Sequence, residues 1–157
     1  MPRASAFNSV VLDGDGALTT AFGDVWRVAP CRPAQVVVAS HDLGDGSISH
    51  IAADADHIYG VVAGGRRTVF AAPRSGGKPV DLAREIDDTG AVVVAGSEVL
   101  YFTSSGGSGG RAAINAVPTT GGPSRVVTLG TCANRDLTVA GDRILFSADG
   151  RVWSAPR

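Results

Sequence analysis

The sequence predicts an all-β protein made of about four copies of one four-stranded unit. Two regularities and one absence carry this reading. First, "VVLDGDGAL" from Val10, "IAADADHIY" from Ile51, "VVVAGSEVL" from Val92 and "LTVAGDRIL" from Leu137 superimpose without gaps, their starts 41, 41 and 45 residues apart. Second, an apolar residue stands four positions before a proline in each copy: Trp26–Pro30, Val69–Pro73, Ile114–Pro118 and Val152–Pro156. Third, no stretch has the 3.6-residue apolar spacing of an amphipathic helix, so essentially no helix is expected.

Within each unit the elements follow from turn chemistry. The superimposed segments place Asp15, Asp56, Ser97 and Asp142 between two apolar runs. Small polar side chains hydrogen-bond the local backbone there, so each segment reads as a β-hairpin. The proline closes a third strand, where a missing N–H costs the ladder little. A turn and a fourth strand follow in "CRPAQVVVA", "RSGGKPVDLA" and "TTGGPSRVVTL". The last unit ends at Pro156-Arg157 with three strands and a hairpin across Ser147–Gly150. "TSSGGSGGR" (Thr103–Arg111) lengthens the connection between the second and third strands of the third unit and is expected to be mobile.

Four antiparallel strands repeated every 40–45 residues or so are the mark of β-propeller blades around a central channel. The expected architecture is one domain over residues 1–157, with repeats over about 9–39, 50–83, 91–129 and 136–157. A β-sandwich made of the same strands has no reason to keep that register. The incomplete last blade has three possible completions: strand pairing by Arg3–Phe7 of the same chain, pairing by a second chain to give a homodimer, or membership in a larger propeller.

Composition narrows the class. With 44% apolar residues, 18% charged residues and 21 glycines among 157, the chain is globular rather than disordered. Its net charge of −1 and scattered arginines give no nucleic-acid footprint. No apolar run approaches the length of a membrane helix, and the opening "MPRASAFNSV" lacks the apolar stretch of a signal peptide. Cys31 falls between third and fourth strands and Cys132 between units, on opposite faces of a propeller, so two free thiols are expected.

The stretch "DADHIYG…TVFAAPRSGGKPVDLA" (Asp54–Ala83) resembles the blades of bacterial propellers related to the YWTD propeller of the low-density-lipoprotein receptor and to the TolB-like group. In those, an Asp-x-x-aromatic strand precedes a strand ending near proline, then Gly-Gly-x-Pro and an apolar-Leu-Ala strand. The third unit keeps "VPTTGGPSRVVTLG", whereas the first has Cys31-Arg32 in place of Gly-Gly. The resemblance implies a propeller and an extracytoplasmic setting; it carries over no ligand.

Candidate chemistry is sparse. Asp13, Asp15 and Asp24 fall at positions 1, 3 and 12 of an EF-hand loop, but Ala17 and Leu18 occupy positions 5 and 6, where a ligand and a glycine are required. A hairpin turn explains "DGDG" better. "GGSGGR" lacks the Lys-Ser/Thr of a phosphate-binding loop, and no Gly-x-Ser-x-Gly motif occurs. His57 reads as a solvated hairpin residue. The remaining polar groups gather by topology. Connections between blades bring His41, Asp42, Asp45, Glu85, Asp87, Asp88 and Asp136, while His50 opens an inner strand. Loops joining second and third strands add Arg66, Arg67 and Arg111 to the same face.

Loops on a rigid scaffold surrounding one depression are where such a fold binds ligands. The candidate ligand-binding set is therefore His41, Asp42, His50, Arg66, Arg67, Asp87, Asp88, Arg111 and Asp136. The plainer account is that crossover loops are polar because they face water. The sequence favours a non-catalytic module for a protein, peptide or glycan, with no catalytic residue and no cofactor assigned. The alternative is a metal-assisted hydrolase or lyase, with a divalent cation held by His41, Asp42, Asp87, Asp88 and Asp136.

Overall fold

A computed structural model describes residues 9–44, 46–64, 67–84, 86, 88–104, 112–130, 136–148 and 151–157. Four antiparallel sheets follow one another along the chain. The first holds β1 (Val10–Asp13), β2 (Gly16–Ala21), β3 (Asp24–Val28) and β4 (Gln35–Val38). A single 3-10 turn, Ser40–Leu43, leads to β5 (Ser47–Ala53), β6 (His57–Ala63), β7 (Thr68–Pro73) and β8 (Val80–Arg84). The third sheet holds β9 (Asp88–Ala95), β10 (Glu98–Ser104), β11 (Ala112–Pro118) and β12 (Arg125–Gly130). The fourth has three strands, β13 (Leu137–Ala140), β14 (Arg143–Ala148) and β15 (Arg151–Pro156). Every strand pairs with its sequence neighbour, the meander of a propeller blade. No helix of the described residues is long and apolar enough to cross a membrane.

The expected hairpins are all present. Asp13 pairs Gly16, Ala53 pairs Ile58, Ala95 pairs Glu98 and Ala140 pairs Arg143. Gly14, Gly96 and Gly141 share φ near +62°, a left-handed conformation that fixes glycine at three of the four turns. In the second, Asp54 takes over: its Oδ1 accepts the N–H groups of Asp56 and His57 at 2.9 and 2.7 Å. The Asp13–Gly16 turn thus stands where the EF-hand reading placed a cation loop. Asp24 is engaged elsewhere, its Oδ1 accepting the Ser40 N–H at 2.7 Å.

Two inner strands start earlier than their apolar runs indicate. β5 begins at Ser47, so His50 sits inside the strand rather than opening it. β9 begins at Asp88, which pairs Ser104 and belongs to a strand rather than to a connecting loop. Both extensions lie beyond a register shift, between Ile48 and His50 and between Tyr101 and Thr103. A bulge lets the ladder continue out of step with the alternation that precedes it, and in β5 it still buries Ile48. The loop reading of Thr103–Arg111 also gives way at its start, since β10 runs through Ser104; residues 105–111 lie outside the described set. So do residues 3–7, Cys132 and the turn 149–150; Cys31 is an exposed free thiol.

Successive blades bury one another's faces. Leu18, Val25 and Val38 of blade 1 share a cluster with Ile48, Ile58 and Phe70 of blade 2. The opposite face of blade 2, with Tyr59, Val61 and Val69, meets Val92, Val99 and Tyr101 of blade 3. Leu100, Phe102 and Ile114 of blade 3 then meet Ile144 and Phe146 of blade 4. Each such side chain taken fully from water contributes roughly 1.5–3 kcal/mol. No hydrophobic cluster of the described residues joins blade 4 to blade 1.

Polar clamps lie over the apolar joints. Asp13, at the end of β1, accepts from Arg27 Nε at 2.6 Å and from Arg74 Nη2 at 2.7 Å, Arg74 belonging to the turn after β7 of the next blade. Arg74 also donates to the carbonyls of Leu12 and Asp54. Asp54 is the counterpart of Asp13 one repeat on, and its Oδ2 accepts from the Tyr59 hydroxyl at 2.7 Å. The hydroxyl of Thr119, the counterpart of Arg74, works against the rise that burial imposes on the Tyr59 phenol. Burial, helped by the Asp54 charge, pushes the Tyr59 phenol well above its ordinary range. Burial would also raise the two carboxyls. The arginines beside Asp13, and Tyr59 with the backbone N–H groups of His57 and Asp56 at Asp54, outweigh that and hold both below the usual carboxylate value.

Two outcomes follow. A Cβ on Gly60 would stand 2.6 Å from the Phe70 ring and 3.0 Å from the His50 carbonyl. Gly60→Ala should therefore cost about 1–3 kcal/mol in denaturant unfolding, relieved in part by Phe70→Leu. The depressed carboxyls make the second. Their stability is complete above the unfolded value of about 3.9 and is lost as pH falls through the folded values. Melting temperature should drop as pH is lowered past about 4, and Asp13→Asn with Asp54→Asn should flatten that drop. Equal acid sensitivity in the double variant would show that these carboxyls are not the cause.

Candidate functional site

Residues on or just before the innermost strands of all four blades line one axial depression of about 310 Å³. Ser9 and Ile51 line it from blades 1 and 2, Ala91 and Val92 from blade 3, and Leu137 from blade 4. Two of the sequence-predicted residues, His50 and Asp136, also line it. They arrive by the same route, each sitting where an inner strand leaves the connecting face. The half-buried His50 has its Nδ1 3.2 Å from Ser49 Oγ. Asp136 precedes β13 and is held by β14: its Oδ2 accepts from Ser147 Oγ at 3.0 Å, and its carbonyl accepts the Ser147 N–H at 3.4 Å.

Ser9 was not legible as a site residue, yet it organises the wall. Its Oγ donates to the Ile51 carbonyl at 3.3 Å and accepts the Ile51 N–H at 3.2 Å, tying blade 1 to blade 2. Its carbonyl accepts from the Thr20 N–H and the Thr19 hydroxyl, at 3.2 and 3.1 Å. The depression therefore has a fixed rim. Its polar groups are a histidine, a carboxylate and a hydroxyl, all of them able to donate or accept hydrogen bonds.

The other candidates are placed differently. His41 and Asp42 occupy the 3-10 turn, both exposed, with Nε2 3.5 Å from Oδ1. They form a local pair outside the described lining of the depression. Arg67 is exposed just before β7, on the end of the blade that carries the connecting loops. Asp88 begins β9, and no account of its side chain is given by the described residues. Arg66, Asp87 and Arg111, with Asp45 and Glu85, lie outside the described set. Among the described residues no group of three or more His, Cys, Asp or Glu side chains is arranged to hold a metal ion.

No protein-family model matches the sequence, and no curated protein matches it. Solved structures do. A computationally designed protein, Ika4, superimposes with a TM-score of 0.68 at 12% identity over 98% of this chain and 92% of that one. The WD40 β-propeller domain of Doa1 gives 0.62 at 12% identity, covering 99% of this chain and 53% of that one. BamB from Moraxella catarrhalis gives 0.56 at 14% identity, covering 92% of this chain and 41% of that one. The chain thus spans about half the length of these two natural neighbours. Identity this low establishes the architecture, and with the four sheets it makes the chain a β-propeller fold with an incomplete last blade.

Proposed function

We propose that this chain is a non-catalytic binding module whose connecting-loop face receives a protein, peptide or glycan around the axial depression. The observation that carries the reading is convergence: residues from all four blades, Ser9, His50, Ala91 and Asp136 among them, line one depression, and Ser9 ties its blade 1 side to blade 2 through Ile51. A preformed concave surface with few polar groups suits recognition, because little ordering is needed on binding. The neighbours give coarse support, since propellers recur as interaction modules; fold likeness alone does not select a ligand. The YWTD and TolB-like kinship of Asp54–Ala83 belongs to the same proposal, resting on the residues themselves.

Peptide and glycan arrays probed with the purified chain test it. For any array hit, His50→Ala and Asp136→Ala should each weaken binding at least about tenfold. Asp15→Ala and Asp142→Ala, in exposed turns at the other end of the blades, should leave it unchanged. Hits indifferent to the first pair would place the binding surface elsewhere. A stoichiometric divalent cation in protein purified without chelator, lost in His41→Ala or Asp136→Ala, would favour metal-assisted chemistry instead.

A further inference from the structure

Each blade uses two apolar faces, and the ends of the arc keep one of each uncovered. Register carries the contacts of one joint to the next. Phe70, opposite Gly60 in blade 2, corresponds to Trp26, opposite Thr19 in blade 1. Ile51 corresponds to Val10 and Ala53 to Leu12. Phe70 and Ile51 are buried against blade 1, whereas Val10 and Leu12 are 61% and 82% exposed. At the far end, Leu100 of blade 3 is buried against blade 4, and its counterpart Leu145 lines an open groove of about 300 Å³ with Thr138, Ser147 and Val152. Val152 is 77% exposed.

We propose that two copies of this chain close into one eight-bladed ring, blade 4 of each packing its outer face on blade 1 of the other. The two uncovered faces are not alike; they are the opposite halves of a joint that the chain already makes three times. Such a head-to-tail contact closes only if the rotation per copy is right, and otherwise runs on as a filament. Four blades superimpose on 53% of the length of a WD40 propeller chain, so two copies supply about the strands of one full ring. Eight blades fall within the range that propellers adopt.

The polar positions agree. Where Asp13 meets Arg74 within the chain, the joint between copies would set Ala140 against Pro30. Ala140 aligns with Asp13, and Ala29, whose carbonyl accepts the Arg32 N–H as that of Pro73 accepts the Gly76 N–H, makes Pro30 the counterpart of Arg74. No charge at those positions would be trapped without a partner, which a buried joint requires.

Sedimentation equilibrium on the full 157-residue chain reads the result. A particle of twice the 15.9 kDa chain mass is expected. Leu12→Glu and Val152→Glu should each raise its dissociation midpoint at least about thirtyfold. Val80→Glu, at an equally open position on β8, should not. Circular dichroism separates lost association from lost folding, and either of the two variants that folds suffices. In a Cys31→Ser, Cys132→Ser background, a bismaleimide should link Ala140→Cys of one copy to Pro30→Cys of the other, and leaving Pro30 in place should abolish the link. A monomer at every concentration would overturn the proposal and leave these faces to further blades of a longer chain. A dimer insensitive to both face variants, or a ladder of higher oligomers, would equally overturn it.

Discussion

A β-sheet with two apolar faces has no stable existence in water, and this constraint organises the molecule. In blade 2, Ile58 and Phe70 look one way while Tyr59 and Val61 look the other, all of them buried. Such a sheet must be covered on both sides, and the chain covers it with copies of itself. The hairpin turns, the prolines and the connecting loops exist to deliver the next sheet at the right angle. The axial depression is a consequence rather than a separate construction. It is the space left where four inner strands meet, and Ser9 holds its wall because it bonds across a joint.

Much of this was legible because repetition amplifies weak signals. One Gly-Asp or Gly-Ser pair says little, but three of them with an Ala-Asp pair, 41 to 45 residues apart, fix the hairpins, and glycines at φ near +62° in three of the turns confirm why the residue recurs. What escaped was whatever depends on partners distant in the chain or on polar strand residues. Ser47, Ser49, Asp88 and Thr89 extend inner strands with polar residues, and the one buried apolar residue among them, Ile48, is too short a signal to mark a strand. The Asp13–Arg74 pair spans 61 residues and is invisible until the blades are stacked. Its only trace in the sequence is positional, an arginine after the proline of one repeat and an acid before the turn of another.

The candidate site divides along the same line. His50 and Asp136 reach the depression because they sit on or beside inner strands, whose place near the axis follows from the fold. His41 and Asp42 belong to a 3-10 turn that carries the chain from the outer strand of one blade to the inner strand of the next. Shared membership of a loop class put them on one face with Asp136, but a face is wide and an axis is narrow. Topology predicts the first and only strand position predicts the second.

The joints also show how a repeated sequence avoids stacking its blades in the wrong order. The apolar contacts are nearly interchangeable, Val, Ile, Leu and Phe in all three clusters. The clamp positions are not. The first joint pairs Asp13 with two arginines, the second runs Asp54 through Tyr59 to Thr119, and the third sets Ala95 before the turn that Arg157 approaches. Placing Arg74 beside Ala95 would leave its guanidinium without the carboxylate it meets at Asp13. Burial supplies most of the attraction between blades, and these few mismatchable polar contacts supply the order. The Ala140 and Pro30 positions, by contrast, carry no charge to match.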